Sequence, residues 1–226
     1  MIHQPSNLAA ARAAWRLLNG IPESARPSWR WTRAVAGERP RLYVYGMIGG
    51  WDLDAAEFVR TVHDLDATDL DLHVNSPGGF VWDAVSMFEA LRSHPATVHT
   101  HVDGVAASAA SFVALAGDQV DTAAGSRWMV HDAQTIGIGS PAELREAADL
   151  ADAVSDDIAG IYADRAGGTA AGWRSAMTAT TWYSASEAVD AGLAQAVAGA
   201  QTESSGTSNR SRLIKARAAR ALGGVK

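Results

Sequence analysis

Apolar positions along this chain switch between two periods. Leu42 to Ile48 is a dense apolar run and reads as the first core strand. Asp52 or Asp54 then offers an N-cap for a helix running to about Leu65. Leu70 to Val74 alternates apolar with polar residues, the two-residue period of a strand. After the Pro77-Gly78-Gly79 turn, Val81, Val85, Phe88 and Leu91 recur at helical spacing, which predicts a helix over Phe80 to Leu91. Thr97 to Val102 reads as a strand, Ala106 to Ala116 as a helix, Gln119 to Thr122 as a short strand and Arg127 to His131 as another. A glycine-rich link, Ile136 to Ser140, leads into Pro141, which suits the first turn of a long helix to about Ala166 with Ser140 as its cap. A further helix follows Thr169, and Ser184 caps a last one over Ala185 to Ala191, ended by Gly192. Strands alternating with helices predict an α/β fold with a largely parallel sheet.

Composition narrows this picture. The 226 residues suffice for one domain with terminal extensions. We expect a domain over 42–200, an N-terminal arm over 1–41 and a basic, Ser/Gly/Arg-rich, disordered tail over 201–226. Within the arm, Leu8 to Leu18 reads as a short amphipathic helix broken by Pro22 and Pro27. Trp15, Trp29 and Trp31 are expected to pack on the body or on a neighbouring subunit. The arm is alternatively a pro-segment removed by self-cleavage.

The net charge of −6 conceals an asymmetry. Residues 1–41 carry seven arginines and two acids, residues 201–226 six basic residues and one acid, and the body between them 6 basic residues and 22 acids. An acidic body argues against nucleic-acid binding by the core. With no cysteine, disulfides, thiolate metal sites and a cysteine nucleophile are excluded. No window reaches the ~18 apolar residues of a membrane span, and no apolar N-terminal segment resembles a secretory signal. The cytoplasm is the default expectation.

Three segments carry candidate chemistry. Ser108 lies between the 97–102 strand and a small-residue helix, where unpaired N–H groups favour negative charge and the flanking alanines let a substrate backbone approach. His131 closes the apolar Trp128-Met129-Val130 strand and is the candidate general base. Gly78-Gly79 follows a strand, where backbone N–H groups are sterically open. The N–H groups of Gly79 and Ala109 are the expected oxyanion pair, completing what serine hydrolysis needs except an orienter for the base. Ser111 reads as a packing or helix-bonding serine rather than a second nucleophile. His99 and His101 alternate on one strand face and read as surface or interface histidines rather than a metal pair, as do His63 and His73. Gly137 and Gly139 mark either a strand that pairs with an extended substrate or a flexible loop.

Asn75-Ser76-Pro77-Gly78-Gly79, Gly104 to Ser108, Met129-Val130-His131 and Ser184 to Leu193 together resemble the Clp protease proteolytic subunit family over residues 42 to 197. Tyr43 to Trp51, Val102 to Ser108 and Thr181-Trp182 are similar to the ClpP-related head maturation proteases of tailed bacteriophages. The resemblance implies a ClpP/crotonase-like α/β fold of repeated β-β-α units. It implies a serine endopeptidase acting on polypeptides, capsid or scaffold precursors in the phage group, in the bacterial host cytoplasm. It also implies a ring-shaped homo-oligomer with the 141–166 helix as a contact between rings. It leaves the ATPase partner open and calls for no cofactor or metal.

In the family the triad acid stands two residues before an aromatic, ahead of the last helix. Thr180 occupies that position here, two residues before Trp182. Three outcomes are open: a slow Ser-His dyad, a substitute carboxylate among Asp132, Asp164 and Glu187, or an inactive structural subunit. A crotonase-like acyl-CoA enzyme would share the backbone oxyanion pair, but the paired serine and histidine motifs argue against it.

Overall fold

The computed structural model describes residues 31–32, 39–49 and 53–199. The expected arm helix, Trp15, Trp29, the Trp31 side chain, Gly50, Trp51, Asp52 and the basic tail lie outside the described residues. Elements run in the order β1 (Trp31–Thr32), β2 (Arg41–Tyr45), α1 (Ala55–Asp64), β3 (Asp69–Ser76), α2 (Val81–Ser93), β4 (Thr97–Ala107), α3 (Ala109–Ala114), β5 (Gln119–Ala123), β6 (Arg127–Val130), α4 (Pro141–Ala166), α5 (Ala170–Thr178), β7 (Thr181–Ser184), α6 (Ala185–Asp190) and β8 (Ala196–Ala198). The fold is mixed α/β with a mostly parallel sheet, as the strand–helix alternation predicts. The strands lie in the order β1-β2-β3-β4-β5-β8, and β6 joins β4 to β7. Among the described residues only the β1–β2 and β6–β7 pairs are antiparallel.

Alternation sorts the sheet into two faces. Leu42, Val44, Leu70, Leu72, Val74, Val98, Val102 and Val120 point to one side, where Phe58, Val62, Met87, Leu91 and Phe112 of the helices bury them. Residues on the other side are half-buried or exposed. There Tyr43, His73 and His101 stack with ring centroids 5.0 Å apart. His73 and His101 face Asp103 and Asp71, and His99 lies between Gln119 and Asp69.

Local chemistry sets the helix ends. Asp54 caps α1 by accepting from the Glu57 N–H. Ser140 and Ser184 open α4 and α6 with capping boxes to Glu143 and Glu187. Gly192 ends the last helix region at φ 80°. The C-terminal half of α4 packs through Val154, Ile158, Ala159 and Tyr162, whereas Leu144 and Leu150 of its N-terminal half are exposed.

The largest departure from the expected boundaries is at the end of β4. The strand predicted to end at Val102 runs on to Ala107, and the helix predicted from Ala106 begins at Ala109. The cause is a fork in β4. Its first half pairs with β5 through His99–Val102, and its second half with β6 through Val105–Ala107. Sheet hydrogen bonds to β6 overrule the helical preference of the alanines. A register shift against β3 marks the bend, and the Asn75 side chain fills it by accepting from the Val105 N–H at 3.2 Å. A β-carbon on Gly104 would come within 2.5 Å of that same Asn75 Oδ1, so a side chain there would displace Asn75 from this bond.

Candidate active site

The fork delivers Ser108 to the tip of the longest strand. Its N–H donates to the Met129 carbonyl at 2.9 Å, the last tie to β6 before α3 begins. The residue stands at φ 54°, ψ −129°, a conformation that costs an L residue about 1–3 kcal/mol and persists only where its surroundings hold it. A sharp strand-to-helix turn of this kind lifts a hydroxyl clear of the sheet.

His131 follows β6 by one residue. Its Nε2 lies 2.7 Å from Ser108 Oγ. A neutral imidazole at that distance can take the hydroxyl proton. Burial is the main cause that holds the His131 pKa below its ordinary value, and the nearby Asp132 carboxylate opposes the shift. A base must be neutral to accept a proton. The acid limb of kcat/KM is therefore expected below pH 6.5, with activity lost only as pH falls through that lowered value. A pH–rate profile whose acid limb lies above 6.5 would contradict the burial of this ring.

The glycine loop closes the third side. Ser76, fully buried, donates to the Gly46 carbonyl at 2.6 Å and accepts from the Gly78 N–H at 3.1 Å. Gly78 packs so tightly on the serine turn that a β-carbon there would come within 2.7 Å of Ser108 Cβ and 2.9 Å of the Ala109 nitrogen. Gly79 presses on Ile48, whose carbonyl oxygen would be 2.1 Å from an added β-carbon. Ile48 takes the backbone groups on either side of Gly79, donating to Gly78 O and accepting from the Phe80 N–H. That leaves the Gly79 N–H unused, and the Ala109 N–H likewise has no acceptor among the described residues. Two open donors beside an activated hydroxyl can hold a developing oxyanion.

The orienter is where the structure departs from a full triad. The last β6–β7 pair is Val130 with Thr181, so His131 and Thr180 each stand one residue beyond the paired register. Thr180 is exposed at φ 52°, and it makes no hydrogen bond to the imidazole. None of the three candidate carboxylates replaces it. Asp132 is bound by Arg174 and by Thr178 Oγ1, Glu187 is spent on the α6 cap, and Asp164 points into solvent. Among the described residues the His131 ring has one hydrogen bond, to Ser108.

Residues that the sequence reading passed over hold His131 in place. Arg174 of α5 ties Asp132 to Asp152 and Asp156 of α4, at 2.9 Å and 2.7 Å for the latter two. The Ala133 N–H donates to Ser155 Oγ at 2.9 Å. The chain just after His131 is thus anchored to two helices. Arg174 is the sole basic residue between Arg165 and Arg210, which was the available signal for it. The Gly137–Gly139 segment forms no strand among the described residues, and Ile136 and Ile138 are exposed.

Residues 54–201 match the sequence model of the Clp protease family. Curated relatives are named ATP-dependent Clp protease proteolytic subunit. The one from Pleurastrum terricola is 32% identical over 104 residues, covering 45% of this chain and 53% of the relative. Its counterpart in Chlorella vulgaris is 31% identical over 131 residues, 57% of this chain and 65% of the relative. Subunit 1 of Prochlorococcus marinus is 29% identical over 127 residues, 55% and 65% of the two chains. The matched part of the chain spans between half and two thirds of the length of these relatives. With the family model covering well over half of the sequence, including Ser108, His131 and both glycines, the chain belongs to the Clp protease family.

Proposed function

We propose that this chain is a serine endopeptidase of the Clp type. Ser108 is the nucleophile, His131 the general base, and the Gly79 and Ala109 N–H groups the oxyanion donors. The observation that carries the reading is the 2.7 Å contact between Ser108 Oγ and His131 Nε2. As Oγ attacks the scissile carbonyl carbon, Nε2 takes its proton, and the carbonyl oxygen becomes an oxyanion facing the two N–H groups. The imidazolium then gives the proton to the leaving amine, and a water attacks the acyl-serine by the same route to free the new carboxylate. The substrate is a polypeptide, and the peptidase domain is 42–200, flanked by the 1–41 arm and the 201–226 tail.

The working form is a ring-shaped homo-oligomer. The exposed Ile136, Ile138, Leu144 and Leu150 on and before α4 supply apolar surface for a contact between rings. The finer reading is head maturation of a tailed phage, on capsid or scaffold precursors in the host cytoplasm. It is supported by the Tyr43 to Trp51, Val102 to Ser108 and Thr181-Trp182 segments.

One observation favours a second reading, a non-catalytic subunit that serves assembly: Thr180 stands where the triad acid is expected, and no carboxylate among the described residues hydrogen-bonds His131. Labelling of the full chain with a fluorophosphonate separates the two. The expected result is a covalent adduct located on Ser108 by peptide mass spectrometry. A folded chain that stays unmodified would establish the second reading in place of the first.

A further inference from the structure

Ser111 and Tyr162 form a buried polar pair that the proposed chemistry does not use. Ser111 of α3 is fully buried and Tyr162 of α4 is 1% exposed. Ser111 Oγ lies 2.5 Å from the Ser108 carbonyl oxygen and 2.6 Å from the Tyr162 hydroxyl. The Ser111 N–H donates to the same Ser108 carbonyl at 3.0 Å.

Proton counting fixes the direction of this chain. A carbonyl oxygen only accepts, so the single Ser111 hydroxyl proton is committed to Ser108 O. Ser111 Oγ can then only accept from Tyr162, whose phenol is held above its ordinary pKa, chiefly by burial, and so stays a donor. The order is Tyr162 O–H to Ser111 O–H to Ser108 C=O, and each bond polarises the next.

The planar trans peptide turns this into geometry at the site. In the Ser108–Ala109 peptide the C=O and the N–H point in opposite directions across one rigid plane. A carbonyl held inward toward Ser111 therefore aims the Ala109 N–H outward, away from Ser111. The Ser111 N–H holds the same carbonyl, and the side-chain bond adds a second tie to a turn in which Ser108 sits in a conformation that L residues rarely adopt.

We infer that Ser111 and Tyr162 are positioning residues that lock the Ser108–Ala109 peptide plane and so aim the Ala109 N–H at the oxyanion. The inference rests on the assignment of Ser108 and Ala109 above. It also ties the turn to the long helix α4 through one side chain, 51 residues away from Ser111 in sequence.

The test uses S111A, S111T and Y162F in the full chain. Loss of an oxyanion donor costs serine proteases roughly 10²–10³ in kcat, and a misaimed donor part of that, so S111A is expected to slow fluorophosphonate labelling and kcat about tenfold or more. KM and the acid limb of the pH profile should stay put, because neither substrate binding nor His131 is touched. S111T keeps the hydroxyl and should restore most of the rate, and Y162F should fall between. Wild-type rates in both S111A and Y162F would overturn the inference. Should S111A fail to fold, Y162F alone carries the kinetic test. Crystal structures of the variants read the same plane whether or not the protein proves active. A Ser108–Ala109 peptide unmoved and singly ordered in both S111A and Y162F would refute the lock, whereas an unlabelled wild type would refute the peptidase assignment instead.

Discussion

Thr180→Asp is expected to raise kcat by about ten- to a thousandfold, a gain bounded by the ~10⁴ that replacing the triad aspartate by its amide costs in a full Ser-His-Asp site. Residue 180 lies one residue past the Val130–Thr181 pair, as His131 does on the partner strand. It is also the residue after the α5 C-cap, Ala179, with its N–H on the Met177 carbonyl at 2.9 Å and its φ at 52°. That left-handed position suits Gly, Asn and Asp and strains a β-branched threonine. Aspartate there adds no backbone strain, and its carboxylate is expected to reach the imidazole. It should fix the ring tautomer and stabilise the imidazolium of the transition state. A second readout goes with the first: a new carboxylate beside the ring favours its charged form, so the acid limb of kcat/KM should move to higher pH. Thr180→Asn and Thr180→Gly relieve the same strain without the charge. Each should stabilise the fold by about 1 kcal/mol and leave kcat near wild type. Equal rates in Asp, Asn and Gly variants would show that position 180 does not reach His131.

Ser108→Ala is expected to lower peptidase turnover about 10²-fold, less than in a complete triad. In a well-characterised serine protease, loss of the serine costs about 2 × 10⁶ and loss of the aspartate about 3 × 10⁴, which leaves the acid-free pair worth on the order of 10². The penalty should grow when Ser108→Ala is made in the Thr180→Asp background, because members of a triad act as a unit and their effects do not add. Alanine keeps a β-carbon at φ 54°, so strain is unchanged and the thermal midpoint should stay close to wild type. Steady-state kinetics on a fluorogenic peptide, with circular dichroism as the control, makes the comparison. Undiminished turnover in Ser108→Ala would remove Ser108 from the mechanism.

Most helices could be located from sequence because their signals are local. Ser140 with Pro141 and Glu143 specifies the start of α4 within four residues, and Asp54 with Glu57 does the same for α1. The strands that the pattern misses have weak or crowded signals. β7 is four residues wedged between α5 and the cap of α6, and β8 is Ala-Val-Ala, with little β preference of its own. Both exist because a partner strand, β6 or β5, offers hydrogen bonds. The error at Ala106–Ala107 has the same cause: alanines that favour a helix locally are taken by β6.

The site divides in the same way. By itself the sequence determined the residue types and their order: a serine before a small-residue helix, a histidine at a strand end, a glycine pair after a strand, and a threonine in place of an acid. Those are properties of neighbours along the chain. Only the tertiary structure decided which groups meet, since each decisive bond joins distant segments: Ser108 to His131 across 23 residues, Ser111 to Tyr162 across 51, Arg174 to Asp132 across 42. A hydrogen bond depends on direction within a few tenths of an ångström, and direction is set by the packed backbone rather than by composition. For the same reason the sequence could place Thr180 in the acid's position, but only the fold shows Asp132 hydrogen-bonded to Arg174 and Thr178 rather than to His131.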